Sequence, residues 1–504
     1  CKLSFFNYSN KKKIALFSLL CLLLISCKSS DNQGFNNDAQ IDDLIKEGYY
    51  TQAEKIIKNR IATEDLTPQE VYDLNFRLDV MDRIRKDFRR GEEEIFEYIA
   101  ERYPDYTEED VARWEETGAL ECKIIDGEKL YFHNAHKNLF RIDKDAQAKQ
   151  ESIKGRQSDN LDQFLGEYIP QVVKSAGTKY ENKVKMSKPE SMKIRYTLTV
   201  PAGEVPEGEV IRVWMPYPRQ KERYSNVKLL STSQDDYIIS PDNYSHKSIY
   251  MEKVAQKDQP AVFSYELSFT SKNVWYKFRP EDVKPYDKES ELYKRYTAER
   301  ERHIIFTPDI KRITDSVTAG VDNPYLKSVK IFDYISKTYP WASAREYSTL
   351  ENIPQYVLDN KHGDCGQVGL LFITMARYAG IPAKWQSGWM LHPDEVNLHD
   401  WAEAYFEGIG WVPVDVSFGL VYDAESLSKG GVEAAVANDD VYHFFTRGLD
   451  AFRYIVNDDF SADFYPAKIH PRSETVDFQR GEVEWRGEKL YFGRWKYNME
   501  VEYK

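Results

Sequence analysis

A chain of 504 residues exceeds what one hydrophobic core usually supports, so we expect two to four domains. The formal net charge is −13, and no Lys/Arg-rich block occurs beyond the N-terminus, which argues against nucleic-acid binding. Aromatic residues make up 14% of the chain, which indicates β-rich parts and broad contact surfaces.

The first 26 residues have the pattern of an export signal. Three lysines, Lys11 to Lys13, precede a largely apolar run from Ile14 to Ile25 that is too short for a comfortable membrane span. The tetrapeptide Leu24-Ile25-Ser26-Cys27 is similar to the lipobox of bacterial lipoproteins, in which the cysteine is acylated and becomes the first mature residue. A polar tether over residues 27–37 follows. The alternative interpretation of the apolar run is a buried core helix.

The cysteine count supports an exported protein that keeps a free thiol. Of five cysteines, Cys1 and Cys21 would leave with the signal and Cys27 would carry lipid. Cys122 and Cys365 remain, too far apart in sequence to suggest a disulfide framework. The function of a retained thiol therefore needs an explanation.

Residues 38–175 are predicted to form a mainly helical N-terminal module. Thr67, Pro68 and Glu70 have the pattern of a capping box with proline at the first helical position, so a helix should begin there. The segment Cys122–Phe132 contains an Asp-Gly turn between two short apolar runs and predicts a hairpin. We expect Cys122 to be an ordinary strand residue.

No motif indicates a metal or another cofactor. His133 and His136 have no acidic or thiol partners at ligand spacing, so we interpret both as surface residues. We therefore predict a protein without a metal site.

The pattern then changes to a period of two residues. This alternation predicts a half-buried strand within a β-sandwich over residues 190–290. A core with mixed helices and strands is expected over 295–425, and a β-rich extension over 426–504. The alternating apolar residues of the first strand are Met192, Ile194, Tyr196, Leu198 and Val200.

The stretch after Cys365 predicts a helix over residues 366–379. Apolar residues recur at helical spacing, Gly380 fits the C-terminal cap and Pro382 prevents continuation. Asp364 is a suitable N-cap, so Cys365 should lie at the N-terminus of the helix. There the backbone amides and the helix dipole are expected to lower the pKa of the thiol and to bind an oxyanion.

A thiol nucleophile needs a base, and the base needs an orienting partner. His399 heads a strand-like run, and Asp415 lies in the returning run after a turn, so antiparallel pairing would bring the two together. In this arrangement the imidazole takes the thiol proton and the carboxylate stabilises the imidazolium. Each of Cys365, His399 and Asp415 taken alone has an ordinary structural interpretation. His362 and His392 are interpreted as loop residues.

In this order and spacing the segment resembles the transglutaminase-like superfamily of papain-related thiol enzymes. The resemblance spans about residues 324–418. It implies that Cys365 is the nucleophile, His399 the base and Asp415 the orienting group, and that Trp341 is a candidate donor to the oxyanion. The matching motifs are Gly363-Asp364-Cys365, Gly380-Ile381-Pro382-Ala383, His399 with Trp401 and Glu403, and Gly410-Trp411-Val412-Pro413-Val414-Asp415.

The resemblance implies an α+β multidomain protein in which the Cys365 helix packs on an antiparallel sheet, flanked by β-sandwich modules and the N-terminal helical module. It implies an enzyme that acts on amide bonds of peptides or proteins through a thioester, with hydrolysis favoured over transfer to an amine. The alternative is a catalytically silent binding or scaffold lipoprotein. The sequence does not indicate an oligomeric state.

We predict that Cys27 anchors the protein in the bacterial cell envelope. Lys28 is not the acidic residue that retains some lipoproteins at the inner membrane, so the outer membrane or the cell surface is favoured. Cys27→Ser should move the protein from the membrane to the soluble fraction, as followed by fractionation and immunoblotting. A wild-type protein found soluble and unmodified after cleavage at another residue would contradict the prediction.

Overall fold

A computed structural model describes residues 37–155, 160–177, 183–393, 395–422 and 439–504. The predicted signal, the lipidation site Cys27 and nearly all of the tether lie outside these ranges. Within them, no helix has both the length and the apolar character needed to cross a membrane.

The first described range is mainly helical, as predicted. Thr67 caps a helix through a complete capping box with Glu70, and Cys122 begins a hairpin whose turn residues Asp126 and Gly127 have positive φ. The three strands form one sheet in the order β1-β3-β2. The elements are α1 (Asn37–Glu47), α2 (Tyr50–Thr63), α3 (Pro68–Asp87), β1 (Phe88–Arg90), α4 (Glu92–Ala100), α5 (Glu108–Glu116), β2 (Cys122–Ile125), β3 (Glu128–Phe132), α6 (Ala135–Ile142) and α7 (Lys144–Lys154).

These elements enclose a hydrophobic core of their own, with members from Ile41 to Ala146. The interpretation of His136 as a surface residue is wrong, because His136 lies in α6 with 6% of its surface exposed and packs edge-on against Tyr98. Among the described residues, no group of three or more His, Cys, Asp or Glu side chains is arranged to hold a metal ion.

The remaining elements surround a second, larger core with members from Leu161 to Met499. Four short 3-10 helices cover Pro280–Asp282, Tyr347–Thr349, Val416–Tyr422 and Phe444–Thr446. In chain order the other elements are α8 (Asn160–Ser175), β4 (Lys183–Val200), β5 (Val210–Pro216), β6 (Tyr224–Thr232), β7 (Tyr237–Ile239), β8 (Ser248–Val254), β9 (Ala261–Lys277), α9 (Glu291–Thr297), α10 (Pro308–Val317), α11 (Pro324–Thr338), α12 (Ile353–Asn360), α13 (Cys365–Tyr378), β10 (Ala383–His392), β11 (Glu395–Phe406), β12 (Gly410–Val414), α14 (Asp439–Tyr442), β13 (Gly448–Leu449), β14 (Arg453–Asn457), β15 (Glu482–Glu484) and β16 (Lys496–Tyr503).

Three antiparallel sheets organise this part of the chain. One has the order β13-β9-β4-β16 with β6 also paired to β9, a second has the order β15-β5-β8-β7, and a third has the order β12-β11-β10-β14. The alternation predicted for β4 is confirmed, since Ile194, Tyr196, Leu198 and Val200 are fully buried. The strands after residue 438 are shared among all three sheets. The predicted fold class, α+β with several antiparallel sheets, is confirmed.

The sheet β12-β11-β10-β14 supports the helix that begins at Cys365. Helix α13 packs against β10 and β11 through a largely apolar face. Gly388 lies in β10 directly opposite His399 of β11, and on its other side β14 approaches so closely that a Cβ at Gly388 would lie 1.9 Å from the carbonyl oxygen of Tyr454. A side chain at this position would push β14 away from the sheet.

Gly388→Ala should therefore destabilise the protein by about 1–3 kcal/mol, as expected for overpacking a filled interior. Thermal or urea unfolding followed by circular dichroism measures the change. Gly166→Ala is the matched control, because Gly166 lies inside α8 with open space around it. That control should stabilise the protein slightly, by up to about 1 kcal/mol. Equal effects from the two variants would refute the role given to Gly388.

Candidate active site

Cys365 is the first residue of α13, one residue earlier than the predicted start. Asp364 caps the helix, since its carboxylate accepts a hydrogen bond from the backbone N–H of Gln367 at 3.0 Å, and the Gln367 amide oxygen accepts one from the Asp364 N–H at 3.2 Å. The Tyr347 hydroxyl donates to the same carboxylate at 2.6 Å. These bonds hold the loop before Cys365 in one conformation.

The thiol of Cys365 hydrogen-bonds to a carboxylate outside the predicted triad. Its Sγ lies 3.4 Å from Oδ2 of Asp400, the residue after His399, and in the described chain no hydrogen bond joins Sγ to the His399 ring. Burial raises the pKa of the thiol well above its usual value, and the negative charges of Asp400 and Asp364 raise it further. The expectation of a lowered thiol pKa is therefore wrong for this conformation.

His399 and Asp415 meet as predicted. Nε2 of His399 lies 2.8 Å from Oδ2 of Asp415, and both side chains are buried. Because a carboxylate accepts the proton on Nε2, the lone pair on Nδ1 is available to take a proton. Burial lowers the pKa of His399, and the carboxylate of Asp415 opposes this effect.

A buried arginine holds Asp415 in its ionised form. Arg453 of β14 donates to Oδ2 of Asp415 at 2.8 Å, and Ser417 donates to Oδ1 at 2.8 Å. Burial alone would raise the pKa of Asp415, but the charges of His399 and Arg453 outweigh it and hold the pKa below its usual value. A carboxylate that stays ionised can stabilise an imidazolium on His399.

Arg453 also connects the site to a second buried pair. Its guanidinium pairs with Asp450, and Asp450 accepts a hydrogen bond from Nε2 of His392 at 3.1 Å. The interpretation of His392 as a loop residue is wrong, because His392 ends strand β10 and is fully buried. His362, by contrast, does lie in a loop, where it is buried beside Tyr356.

Trp341 lies beside the loop that leads into Cys365. Its backbone bridges in parallel to Gly363, its ring is 41% exposed, and the guanidinium of Arg141 from α6 lies 4.5 Å from the ring centroid. The N-terminal module therefore contacts the residue proposed to bind the oxyanion. No hydrogen bond in the described chain tests that role, so it stays a prediction.

The structure adds Asp400 and Arg453 to the predicted site residues. Along β11, Asp400 alternates with Ala402 and Ala404, and all three residues are buried. A charged residue at a position where the alternation predicts a buried side chain is a signal, readable from the sequence, that could have identified Asp400. Arg453 follows its partner Asp415 by 38 residues, and no local pattern marks it.

The predicted triad requires a groove between the Cys365 helix and the strands of His399 and Asp415, and two cavities in the described chain are candidates for it. One of about 10 Å³ lies beside the site and is lined by Trp341, Gly363 and Ser417 among others, which is room for about one water molecule. Another of about 880 Å³ lies between the N-terminal module and the segment from Arg345 to Asn360, and its lining does not include Cys365. Neither cavity is a substrate groove between Cys365 and His399.

Comparison with known proteins identifies the segment that carries these residues. Residues 311–416, about a fifth of the chain, match the family model of the transglutaminase-like superfamily. The uncharacterized protein YebA of Bacillus subtilis (strain 168) is 24% identical over 138 residues, in a match that covers 24% of this chain. The chain spans about a fifth of that relative, since the match covers 19% of its length.

Two solved structures are similar at low identity. One, from Cytophaga hutchinsonii and named only provisionally as a cysteine protease, has a TM-score of 0.40 at 13% identity and covers 64% of this chain and 92% of its own. The periplasmic domain of TgpA from Pseudomonas aeruginosa has a TM-score of 0.26 at 14% identity and covers 51% of this chain and 99% of its own. At such scores the whole-chain superpositions support no functional inference.

Arg453→Met should lower the free energy of unfolding by about 3–5 kcal/mol, because it leaves Asp415 and Asp450 buried without their cation. Ion pairing lowers the pKa of both carboxylates, so their contribution to stability is present above about pH 4 and is lost as the pH falls through the folded-state values. The loss should therefore be largest near pH 7 in urea unfolding. Arg195→Met, which breaks an exposed pair with Glu266, is the control and should change stability by less than about 1 kcal/mol. A similar loss in both variants would contradict the prediction.

Proposed function

We propose that this protein is a cysteine-nucleophile enzyme that acts on amide bonds of peptides or proteins, because residues 311–416 match the model of the transglutaminase-like superfamily. Cys365 is the nucleophile, His399 is the base, and Asp415 orients the imidazole and stabilises the imidazolium. Hydrolysis is the favoured outcome.

One observation carries the proposal. Cys365 begins a helix that packs on the strand of His399, and Asp415 holds Nε2 of that histidine at 2.8 Å so that Nδ1 can accept a proton. A thiol at the start of a helix that packs on the strand carrying such a histidine has the parts that acyl transfer requires.

In the acylation step, Sγ attacks the amide carbon and a C–S bond forms. The thiol proton passes to Nδ1 of His399 and then to the leaving amine as the C–N bond breaks. Backbone amides at the start of α13, together with the Trp341 indole, are the candidate donors to the oxyanion.

In the second step a nucleophile cleaves the thioester. Water gives a carboxylic acid and restores the thiol, whereas a primary amine gives a new amide, so the same acyl-enzyme serves a peptidase or a transglutaminase. The substrate proposed is a peptide or protein of the bacterial cell envelope. The protein reaches it through a lipid on Cys27, and its expected location is the outer membrane or the cell surface.

A second function has one specific observation in its favour. The thiol donates its hydrogen bond to the carboxylate of Asp400 and not to His399, which keeps the sulfur protonated and a weak nucleophile. These features are expected of a binding or scaffold lipoprotein that has kept the fold without the activity.

The two functions are separated by mass spectrometry of a peptide library incubated with the protein, with and without an added primary amine. An enzyme produces cleaved peptides or amine adducts, and Cys365→Ala should abolish them. His399→Ala should be nearly as severe, whereas Asp415→Asn should keep measurable activity because the amide still orients the ring but cannot stabilise the imidazolium.

Each variant is first shown to unfold like the wild type. Activity that survives Cys365→Ala would exclude Cys365 as the nucleophile. An Asp415→Asn variant as fast as the wild type would exclude the role given to Asp415. A wild-type protein that changes no peptide in the library favours the scaffold function.

A further inference from the structure

Asp400 has an environment that the proposed reaction does not use. Its Oδ2 accepts the hydrogen bond from Cys365, and its Oδ1 accepts one from the side-chain amide of Gln479 at 2.7 Å. The same amide donates to the carbonyl oxygen of His399 at 3.0 Å, so Gln479 ties Asp400 to the strand of His399. Asp400 is only 4% exposed.

A second buried carboxyl lies against Asp400. Oδ1 of Asp477 accepts hydrogen bonds from Ser387 at 2.5 Å and from Asn457 at 2.9 Å, and Ser387 stands opposite Asp400 in the pairing of β10 with β11. Oδ2 of Asp477 is buried and receives no donor from any other side chain in the described chain. A buried carboxylate oxygen without a donor is unfavourable, and a proton shared with Asp400, whose charge interacts with that of Asp477, would satisfy it.

We propose that Asp400 and Asp477 form an acid pair that is a further part of the reaction site: it holds the Cys365 thiol protonated in the resting protein and sets the pH at which the sulfur becomes nucleophilic. This proposal rests on the proposed function for its use in catalysis. Asp400 touches the reacting sulfur, and Asp477 acts through Asp400.

The charge balance explains the effect. The pair with one proton carries one negative charge, which the two carboxyls share, and the nearer carboxyl, Asp400, lies 3.4 Å from Sγ. Losing the thiol proton would place a second negative charge beside it, so thiolate formation is disfavoured. Burial and the neighbouring carboxyls raise the pKa of Asp400 well above its usual value, which agrees with a shared proton.

Charged and titratable groups reach the pair from every element packed against it. The loop before α13 contributes Asp364, whose pKa is raised to about 6 by burial, and the charge of Arg480 opposes that rise. The groups that interact with one or other carboxyl are Tyr347, Asp364, Cys365, Arg472 and Glu474, and Arg480 interacts with Asp364 and Glu474. In the described chain, Asp400 is the side chain that forms a hydrogen bond with the sulfur of Cys365.

The test is the pH dependence of Cys365 alkylation by iodoacetamide, measured by peptide mapping, which needs no substrate. Asp400→Asn keeps the shape and the bond to Gln479 but leaves the remaining charge on the more distant Asp477. The midpoint should fall by at least about one pH unit, which means about tenfold faster alkylation at neutral pH.

Asp477→Asn is the matched variant with the opposite expectation. Without Asp477, Asp400 ionises fully and its charge stays beside the sulfur, so the alkylation midpoint should remain or rise. Both variants remove one carboxyl from the same buried pair. If the substitutions only admitted water to the site, the thiolate would be better solvated in both variants and both midpoints would fall. Midpoints that shift together, or an unchanged midpoint in Asp400→Asn, would overturn the proposal.

A measurement on the wild type covers the case in which a variant does not fold. Alkylation of Cys365 should perturb the C=O stretch of a protonated carboxyl group in infrared difference spectra, and the absence of such a band would overturn the shared proton. A different result would contradict the proposed function: alkylated and untreated protein that are equally active, or equally inactive, on the peptide library. The two proposals can therefore fail independently.

Discussion

The buried guanidinium of Arg453 is the constraint on which the site depends. It lies between Asp415 and Asp450, and all three side chains are fully buried. A charge in this position costs several kcal/mol unless it is paired, so β14 must lie close enough for both carboxylates to reach it. Gly388 permits that approach because it presents no side chain to the incoming strand. The orientation of His399 is therefore set by a strand that comes late in the chain.

The thiol illustrates a competition between two electrostatic effects. The start of α13 offers a partial positive charge equivalent to roughly half an elementary charge, which favours a thiolate. Burial and the carboxyls of Asp400 and Asp364 oppose it, and they act at contact distance in an interior of low dielectric constant. The second effect is the larger. Under the proposed function, ionisation of Cys365 therefore requires a nearby proton acceptor, and His399 is the residue that we propose for this role.

The N-terminal module contacts the segment between α11 and α13, which leads into Cys365. Asn138 exchanges hydrogen bonds with the backbone of Ser343 at 3.0 Å in both directions, and Arg141 covers Trp341. Glu121 accepts a hydrogen bond from Tyr356 at 2.9 Å. These contacts hold the chain between α11 and α13 in place. They come from residues outside the segment that matches the family model, so the N-terminal module contributes to the shape of the site.

The sequence by itself determined the features that depend on neighbours a few residues apart. The capping of Cys365 by Asp364, the helix after it and the alternation along β4 follow from local spacing, and the pairing of His399 with Asp415 follows from one tight turn. Only the tertiary structure decided the partners of these residues. Gln479 reaches Asp400 across 79 residues and Arg453 reaches Asp415 across 38, and the strands after residue 438 are divided among three sheets. Such contacts depend on strand order and register, which residues close in sequence do not encode.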